Sequence, residues 1–192
     1  MGGIKLSSAI FTLSYDGQLA DRNLINGYDA AAALRGFERS LALTTHAVLN
    51  GKIIVQAPAL KGAEILFSPP ERGSWEATAL VVVGGIWALN NVKKDTPIGH
   101  LLYSAYDYVI KSATGSTLDY DKSIRVLIEE ARNAAEEASP NLDVNVLDAV
   151  IERAEKSIEE IHRPIIESET AETAIISFQH ERGPEEKITL NR

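Results

Sequence analysis

The fold is decided by residues 29–51, which read DAAAALRGFERSLALTTHAVLNG. Their apolar side chains recur every three or four residues, the period of one helix face. These positions are Ala30, Leu34, Phe37, Leu41, Thr45 and Val48. Asp29 is a suitable N-cap because its carboxylate can accept hydrogen bonds from free backbone N–H groups, and Gly51 is a typical residue to end a helix. The stretch therefore predicts an amphipathic helix with one buried face.

Segments that favour β-structure surround this helix. Residues 10–15, IFTLSY, alternate bulky with small or polar side chains and run into Asp16 and Gly17, which indicates a strand and a turn. After the helix, three β-rich runs at 53–57, 63–67 and 75–83 are separated by Pro and Gly. The first part is therefore predicted as a β-α-β-β-β antiparallel sheet unit. Its expected core residues are Phe37, Leu41, Ile65, Phe67 and Val82.

Helical periods dominate the second part of the chain. A helix after Pro97 ends at Gly115, and residues 121–138 and 145–168 form an antiparallel helical hairpin that turns at 139–141. Two short strands follow, at 173–178 and 187–190. The fold class is thus α+β, with a sheet unit at 1–114 and the acidic hairpin plus C-terminal strands at 115–192. The hairpin can equally pack on the sheet, which would make one continuous domain.

The most apolar run, residues 79–89, is too short for a membrane span, which needs about 20 residues. Gly84 and Gly85 interrupt it, so a buried strand followed by a helix is predicted, with the boundary left open. The first ten residues lack a basic start and a long apolar run, so we expect a cytoplasmic protein without a membrane partner.

Charge is distributed unevenly along the chain, whose net charge is −8. Residues 1–114 hold ten Lys and Arg against nine Asp and Glu, whereas residues 115–192 hold nine against eighteen. The acidic second part repels phosphate, which disfavours nucleic acid and anionic lipid as partners. Such a surface either keeps the protein soluble or docks on a basic surface of another protein.

Metal and cofactor motifs are weak or missing in the sequence. With no cysteine and four scattered histidines, a metal site would depend on one Glu-x-x-His pair at 159–162, so no metal is predicted. Gly2-Gly3 and Gly84-Gly85 lack the spacing of a phosphate-binding loop, and no cofactor is predicted.

Five polar residues are the candidates for a carboxylate-based active site. Arg35, Arg39 and His46 lie along one stripe of the first helix, and Asp16 and Asp29 flank it. Together they define the alternative function, a hydrolase that uses Asp, Glu and His in a cleft near this helix. Each also has a structural interpretation, since Asp16 suits a turn, Asp29 a helix cap, and the arginines can pair with neighbours such as Glu38.

Several segments carry a resemblance to a known family. They are residues 13–17 (LSYDG), 28–31 (YDAA), 39–43 (RSLAL), 57–58 (AP) and 69–76 (PPERGSWE). This pattern, over roughly residues 10–80, is similar to an uncharacterised family of bacterial and prophage proteins with no assigned activity. The resemblance implies a microbial, cytoplasmic protein with an α+β fold, and a role in conflict between phage and host.

The leading functional hypothesis is a non-catalytic protein that binds another protein through the acidic helical hairpin. Its contact residues are predicted to be Glu129, Glu136, Glu152 and Glu159. Self-association is a variant of this hypothesis, because the apolar positions from Leu147 to Ile165 follow a near-heptad spacing that can pair with itself.

Overall fold

A long strand, β1 (Ser7–Asp16), lies at the centre of the fold. The structure is a computed structural model, and it describes residues 7–68, 75–84, 98–115, 126, 143–179 and 186–192. In these ranges the other strands are β2 (Ala63–Ser68), β3 (Glu76–Val83), β4 (Thr173–Gln179) and β5 (Glu186–Asn191). The helices are α1 (Gly27–Asn50), α2 (Ile98–Thr114) and α3 (Val144–Ile166).

The strands form one antiparallel sheet in the order β2-β3-β1-β4-β5. Because β1 pairs with β3 on one side and β4 on the other, the C-terminal strands complete the sheet that the N-terminal segment begins. Alternate residues of β1 are buried, from Ala9 to Tyr15, as the two-residue period of a strand requires. The predicted α+β class is confirmed.

The helices cover the buried face of the sheet. α1 packs along α3 and against α2, and the aromatic rings of the core meet where these layers join. Phe11 of the sheet lies 5.1 Å from Phe178 and 5.5 Å from Tyr106 of α2, measured between ring centroids. The edge-on arrangement of Phe11 and Tyr106 is one of the favourable geometries for aromatic pairs.

α1 and α3 approach each other very closely at Gly36. A Cβ atom at this position would lie 2.2 Å from the backbone oxygen of Ser157, so no larger residue fits without moving a helix. Nearby, the hydroxyl of Tyr15 donates to the backbone oxygen of Ile161 at 2.5 Å and connects the sheet to α3. Burial raises the pKa of this phenol well above its usual range, which keeps it protonated as a donor.

The predicted helix at 29–51 forms, but it begins earlier than expected. Asn26 is its N-cap, and the Asn26 side chain accepts from the N–H groups of Tyr28 and Asp29. The prediction that Asp29 caps the helix is therefore wrong, because Asp29 lies within the first turn and is buried. Gly51 ends the helix as predicted, with a left-handed φ of 60°.

The predicted strand at 53–57 does not form, so the N-terminal order is β-α-β-β. Residues 53–56 are irregular, and a short 3₁₀ turn, Ala57–Ala59, follows. Pro58 has no N–H to give to a sheet ladder, and it occupies the early position that proline favours in a helical turn. The loop is fixed by side-chain contacts instead, since Asn50 donates to the backbone oxygen of Lys61.

Of the predicted core residues, Phe37 and Leu41 are fully buried. Val82 is half-buried, because the even positions of β3 face away from the helices while Val81 and Val83 face them. Ile65 is also half-buried and Phe67 is 41% exposed, since β2 is an edge strand. Core membership in β2 and β3 was thus predicted only in part.

The second helix of the predicted hairpin is confirmed as α3, and Pro164 lies inside it without ending it. The first helix, 121–138, and the turn at 139–141 lie outside the described residues apart from the helical Val126. The boundary sought in 79–92 also lies partly outside, since β3 ends at Val83 and residues 85–97 are not described. None of the helices in the described ranges is long and apolar enough to cross a membrane.

Candidate functional site

An open groove of about 920 Å³ runs along the exposed side of α3. Tyr28 and Arg35 of α1 line it. The end of α2 and the last residues of β5 also line it. α3 supplies most of the remaining lining, including Glu155, Glu159 and Ile166. The groove therefore depends on three helices and the C-terminal strand coming together.

Two ion pairs connect the α1 side of the groove to α3. The Nε of Arg163 donates to Asp29 at 2.9 Å, and the Arg163 guanidinium lies 5.1 Å from the centre of the Tyr28 ring. Arg35 binds both carboxylate oxygens of Glu160, at 2.7 and 3.3 Å. The cation–π contact and the bidentate pair hold this wall in one geometry.

A row of free carboxylates lies on the outer surface of α3. Glu152, Glu155 and Glu159 are exposed and spaced three and four residues apart, which places them on one helix face. We call these three residues the acidic ridge. In the part of the chain that the structure describes, none of them forms an ion pair or a hydrogen bond, whereas Asp148, one turn earlier, accepts from the hydroxyl of Tyr108 at 2.7 Å.

Two exposed apolar side chains line the same groove as Glu155 and Glu159. Tyr28 is 75% exposed and Ile166 is 51% exposed, and both line the groove. Aromatic residues are enriched at protein-binding surfaces, so an exposed tyrosine in a groove lined mostly by polar groups suits contact with a partner protein.

The arginines of the predicted catalytic cluster serve as links between helices. Arg35 pairs with Glu160 and Arg39 donates to the hydroxyl of Ser157 and the backbone oxygen of Val55, both at 3.4 Å. The expectation that these arginines bond to other side chains of the protein is therefore met. The partner it named, Glu38, is wrong, because the described ion pair of Arg35 reaches across to α3.

The five predicted catalytic residues are not gathered in one cleft. Of the set, only Arg35 lines the groove. Asp29 is buried behind it against Arg163, while Asp16 is exposed at the end of β1. His46 lies near the far end of α1, where its Nδ1 accepts from the backbone N–H of Lys61. The hydrolase alternative stays a prediction, with no shared contact among these groups to support it.

His46 provides a pH test of the packing around α1. Burial, with Lys61 and Lys52 nearby, lowers the pKa of His46 below its usual value of 6.5. The unfolded chain then binds a proton that the folded chain resists, so the free energy of unfolding should fall as pH drops below about 6.5. We expect His46→Gln to flatten this slope in denaturation curves taken between about pH 5 and 7. An unchanged slope in the His46→Gln variant would contradict this role.

The described residues hold no group of three or more His, Asp or Glu side chains able to bind a metal. His162 of the Glu-x-x-His pair has its Nδ1 3.0 Å from the backbone oxygen of Ile158, a contact within its own helix. Of the predicted partner-binding residues, Glu152 and Glu159 lie on the acidic ridge, while Glu129 and Glu136 lie outside the described residues. Tyr28 and Ile166 were not predicted as site residues, because only the packing of α1 on α3 brings them to one groove.

A family model described as a domain of unknown function, DUF7946, matches residues 11–192. The match agrees with the expected resemblance to an uncharacterised family and covers far more of the chain than residues 10–80. No curated protein and no solved structure matches the chain.

Proposed function

We propose that this chain, which belongs to the DUF7946 family, is a non-catalytic protein-binding module that docks a basic segment of a partner protein on its acidic ridge. The observation that carries the proposal is the row of three exposed carboxylates without a partner among the described residues, two of which line a groove with exposed Tyr28 and Ile166. Charge supplies the attraction, and the apolar side chains supply contact area. The proposal places the protein in the cytoplasm of a bacterial or phage-infected cell.

The ion pairs of the groove explain why the ridge remains available. Arg35 and Arg163, which both line the groove, are held by Glu160 and Asp29. Neither therefore neutralises the ridge. Arg153 and Lys156 are on the same helix, but the five acidic residues of α3 still outnumber its three Lys and Arg residues. A basic surface approaching α3 thus meets a net negative field.

A field of this kind acts mainly on the rate of association. Complementary charges steer two surfaces together at low ionic strength, and salt screens them over about 8 Å under physiological conditions. The affinity of the complex then depends on the side chains that the partner buries after contact. Tyr28 is suited to that role because its ring is already oriented over Arg163, so little side-chain freedom is lost when a partner covers it.

A pair of charge-reversal variants tests the proposal. We expect Glu155→Lys combined with Glu159→Lys to lose the partners that the wild-type protein captures from cells of its source, as measured by quantitative mass spectrometry. The matched control is Asp16→Lys combined with Glu38→Lys, which changes the net charge equally at two acids outside both the groove and β2.

Circular dichroism of both variants must first show that each remains folded. The control should capture the wild-type partners in the wild-type amounts. If both variants lose the same partners, net charge and not the ridge is responsible. If both retain them, the acidic ridge is only a solvated surface and the proposal fails.

A further inference from the structure

The two edges of the sheet differ in chemistry. β5, at one edge, exposes Lys187 and Thr189, which are polar residues typical of a protected edge. β2, at the other edge, exposes Leu66 by 50% and Phe67 by 41%. An apolar edge strand is a template for pairing with a further strand.

The backbone of β2 has hydrogen-bonding groups that face outward. Gly84 donates to the backbone oxygen of Gly62 at 2.9 Å, so these facing residues form a hydrogen-bonded pair. Such pairs alternate along an antiparallel ladder, and the even-numbered residues of β2 therefore bond to β3. The N–H and C=O groups of Ile65 and Phe67 point away from β3, toward a side where no strand of the described residues pairs.

We propose that β2 pairs with β2 of a second copy of this chain, antiparallel and around a two-fold axis through Leu66. The two five-stranded sheets then become one continuous sheet. In this register Ile65 of one copy and Phe67 of the other exchange backbone hydrogen bonds, using the groups that the single chain leaves facing outward. The symmetry makes the same bonds on both sides of the axis.

The side chains of β2 are self-complementary in this register. On the face away from the helices, Leu66 meets Leu66, and Glu64 meets Ser68, so no like charges face each other. Ile10, Leu80 and Leu66 already face one another across β1, β3 and β2. The second copy continues this apolar row across the axis.

The charge distribution also favours a second copy at this edge over a charged partner. β2 contains one ionisable residue, Glu64, and residues 1–114 carry a net charge of only +1 against −9 for residues 115–192. Repulsion between two chains of net charge −8 is therefore concentrated outside this strand. The pairing uses a surface separate from the acidic ridge, so it is independent of the proposed function.

The test is the mass of the protein in solution, measured by sedimentation equilibrium over a range of concentrations. We expect a reversible dimer of twice 20.9 kDa for the wild-type chain. Leu66→Lys should raise the dissociation constant by about tenfold or more, because two lysines then face each other across the axis. Leu24→Lys is the matched control, a leucine of similar exposure in the loop before α1, and should leave the dimer unchanged.

Mixing Leu66→Lys with Leu66→Glu tests the register itself. Opposite charges then face each other, and the mixture should dimerise more tightly than either variant alone. Three results would each overturn the proposal: a wild-type chain that stays monomeric at every concentration, equal loss of the dimer in Leu24→Lys, or no recovery in the mixture. If a variant fails to fold, the mass of the wild-type chain in solution still tests the proposal. If β2 instead pairs with an extended peptide of another protein, the wild-type chain stays monomeric at every concentration.

Discussion

Replacing Leu41 by alanine is expected to lower the free energy of unfolding by roughly 2–5 kcal/mol, the range for a large-to-small change in a packed core. Leu41 is 1% exposed and lies in the middle of α1, among the core residues between the sheet and the other helices. The change removes buried methyl groups and leaves a cavity that two packed layers cannot easily close. Chemical denaturation of both proteins measures the effect.

Leu34→Ala on the same helix is the control for this prediction. Leu34 also belongs to the predicted apolar face, but it is only half-buried, so its truncation should cost clearly less. Equal effects of the two substitutions, or an unchanged midpoint for Leu41→Ala, would show that the buried face of α1 is assigned incorrectly.

A second large effect is expected at Gly36, where alanine would normally stabilise a helix by up to about 1 kcal/mol. Here the added Cβ would lie 2.2 Å from the Ser157 oxygen and 2.9 Å from the Cβ of Glu160. The helices must then separate, and we expect a net loss of roughly 1–3 kcal/mol, the usual cost of overpacking. The separation would also loosen the pair between Arg35 and Glu160 on the groove wall.

Gly27→Ala, at the first residue of the same helix, is the matched control. A Cβ there has no neighbour within 4 Å, so this substitution should be neutral or slightly stabilising. The denaturation midpoints of Gly36→Ala and Gly27→Ala measure this difference in stability. A stabilised Gly36→Ala protein would mean that α1 and α3 do not approach as closely as the structure shows.

α1 and α3 could be predicted from the sequence because their apolar residues recur regularly over most of each helix. α1 and α3 lie within a few residues of the predicted ranges, and Gly51 ends α1 as expected. The N-cap was missed because Asp29 and Asn26 are both good capping residues, and only the tertiary pair with Arg163 shows that Asp29 is engaged elsewhere. The false strand at 53–57 has β-rich residues, but Pro58 and the contacts of the loop outweigh that local preference.

The site was less accessible to prediction because it depends on contacts between distant parts of the chain. Arg35 and Glu160 are 125 residues apart, and Asp29 and Arg163 are 134 apart. Residue types show that arginines need acidic partners, but they do not show which ones. The ridge was more predictable, since Glu152 and Glu159 fall on the polar side of a regular helix and are exposed as that position requires.

Self-association illustrates the same limit. The near-heptad stripe that suggested it is buried within the chain, where Leu147, Ala154, Ile158 and Ile161 pack in the core that α3 shares with α1 and α2. The apolar edge that we propose for pairing appears only when the strand order is known. The local sequence of residues 63–67 does not indicate whether β2 lies at the edge of the sheet or at its centre.

The most direct test of the acidic ridge is the association rate of the purified chain with a captured partner, measured at low and at physiological ionic strength. If the ridge steers docking, the wild-type rate should fall by about tenfold or more as salt rises, and Glu155→Lys with Glu159→Lys should associate slowly with little salt dependence. Equal rates and equal salt dependence for the wild-type chain and the folded ridge variant would contradict the proposed function.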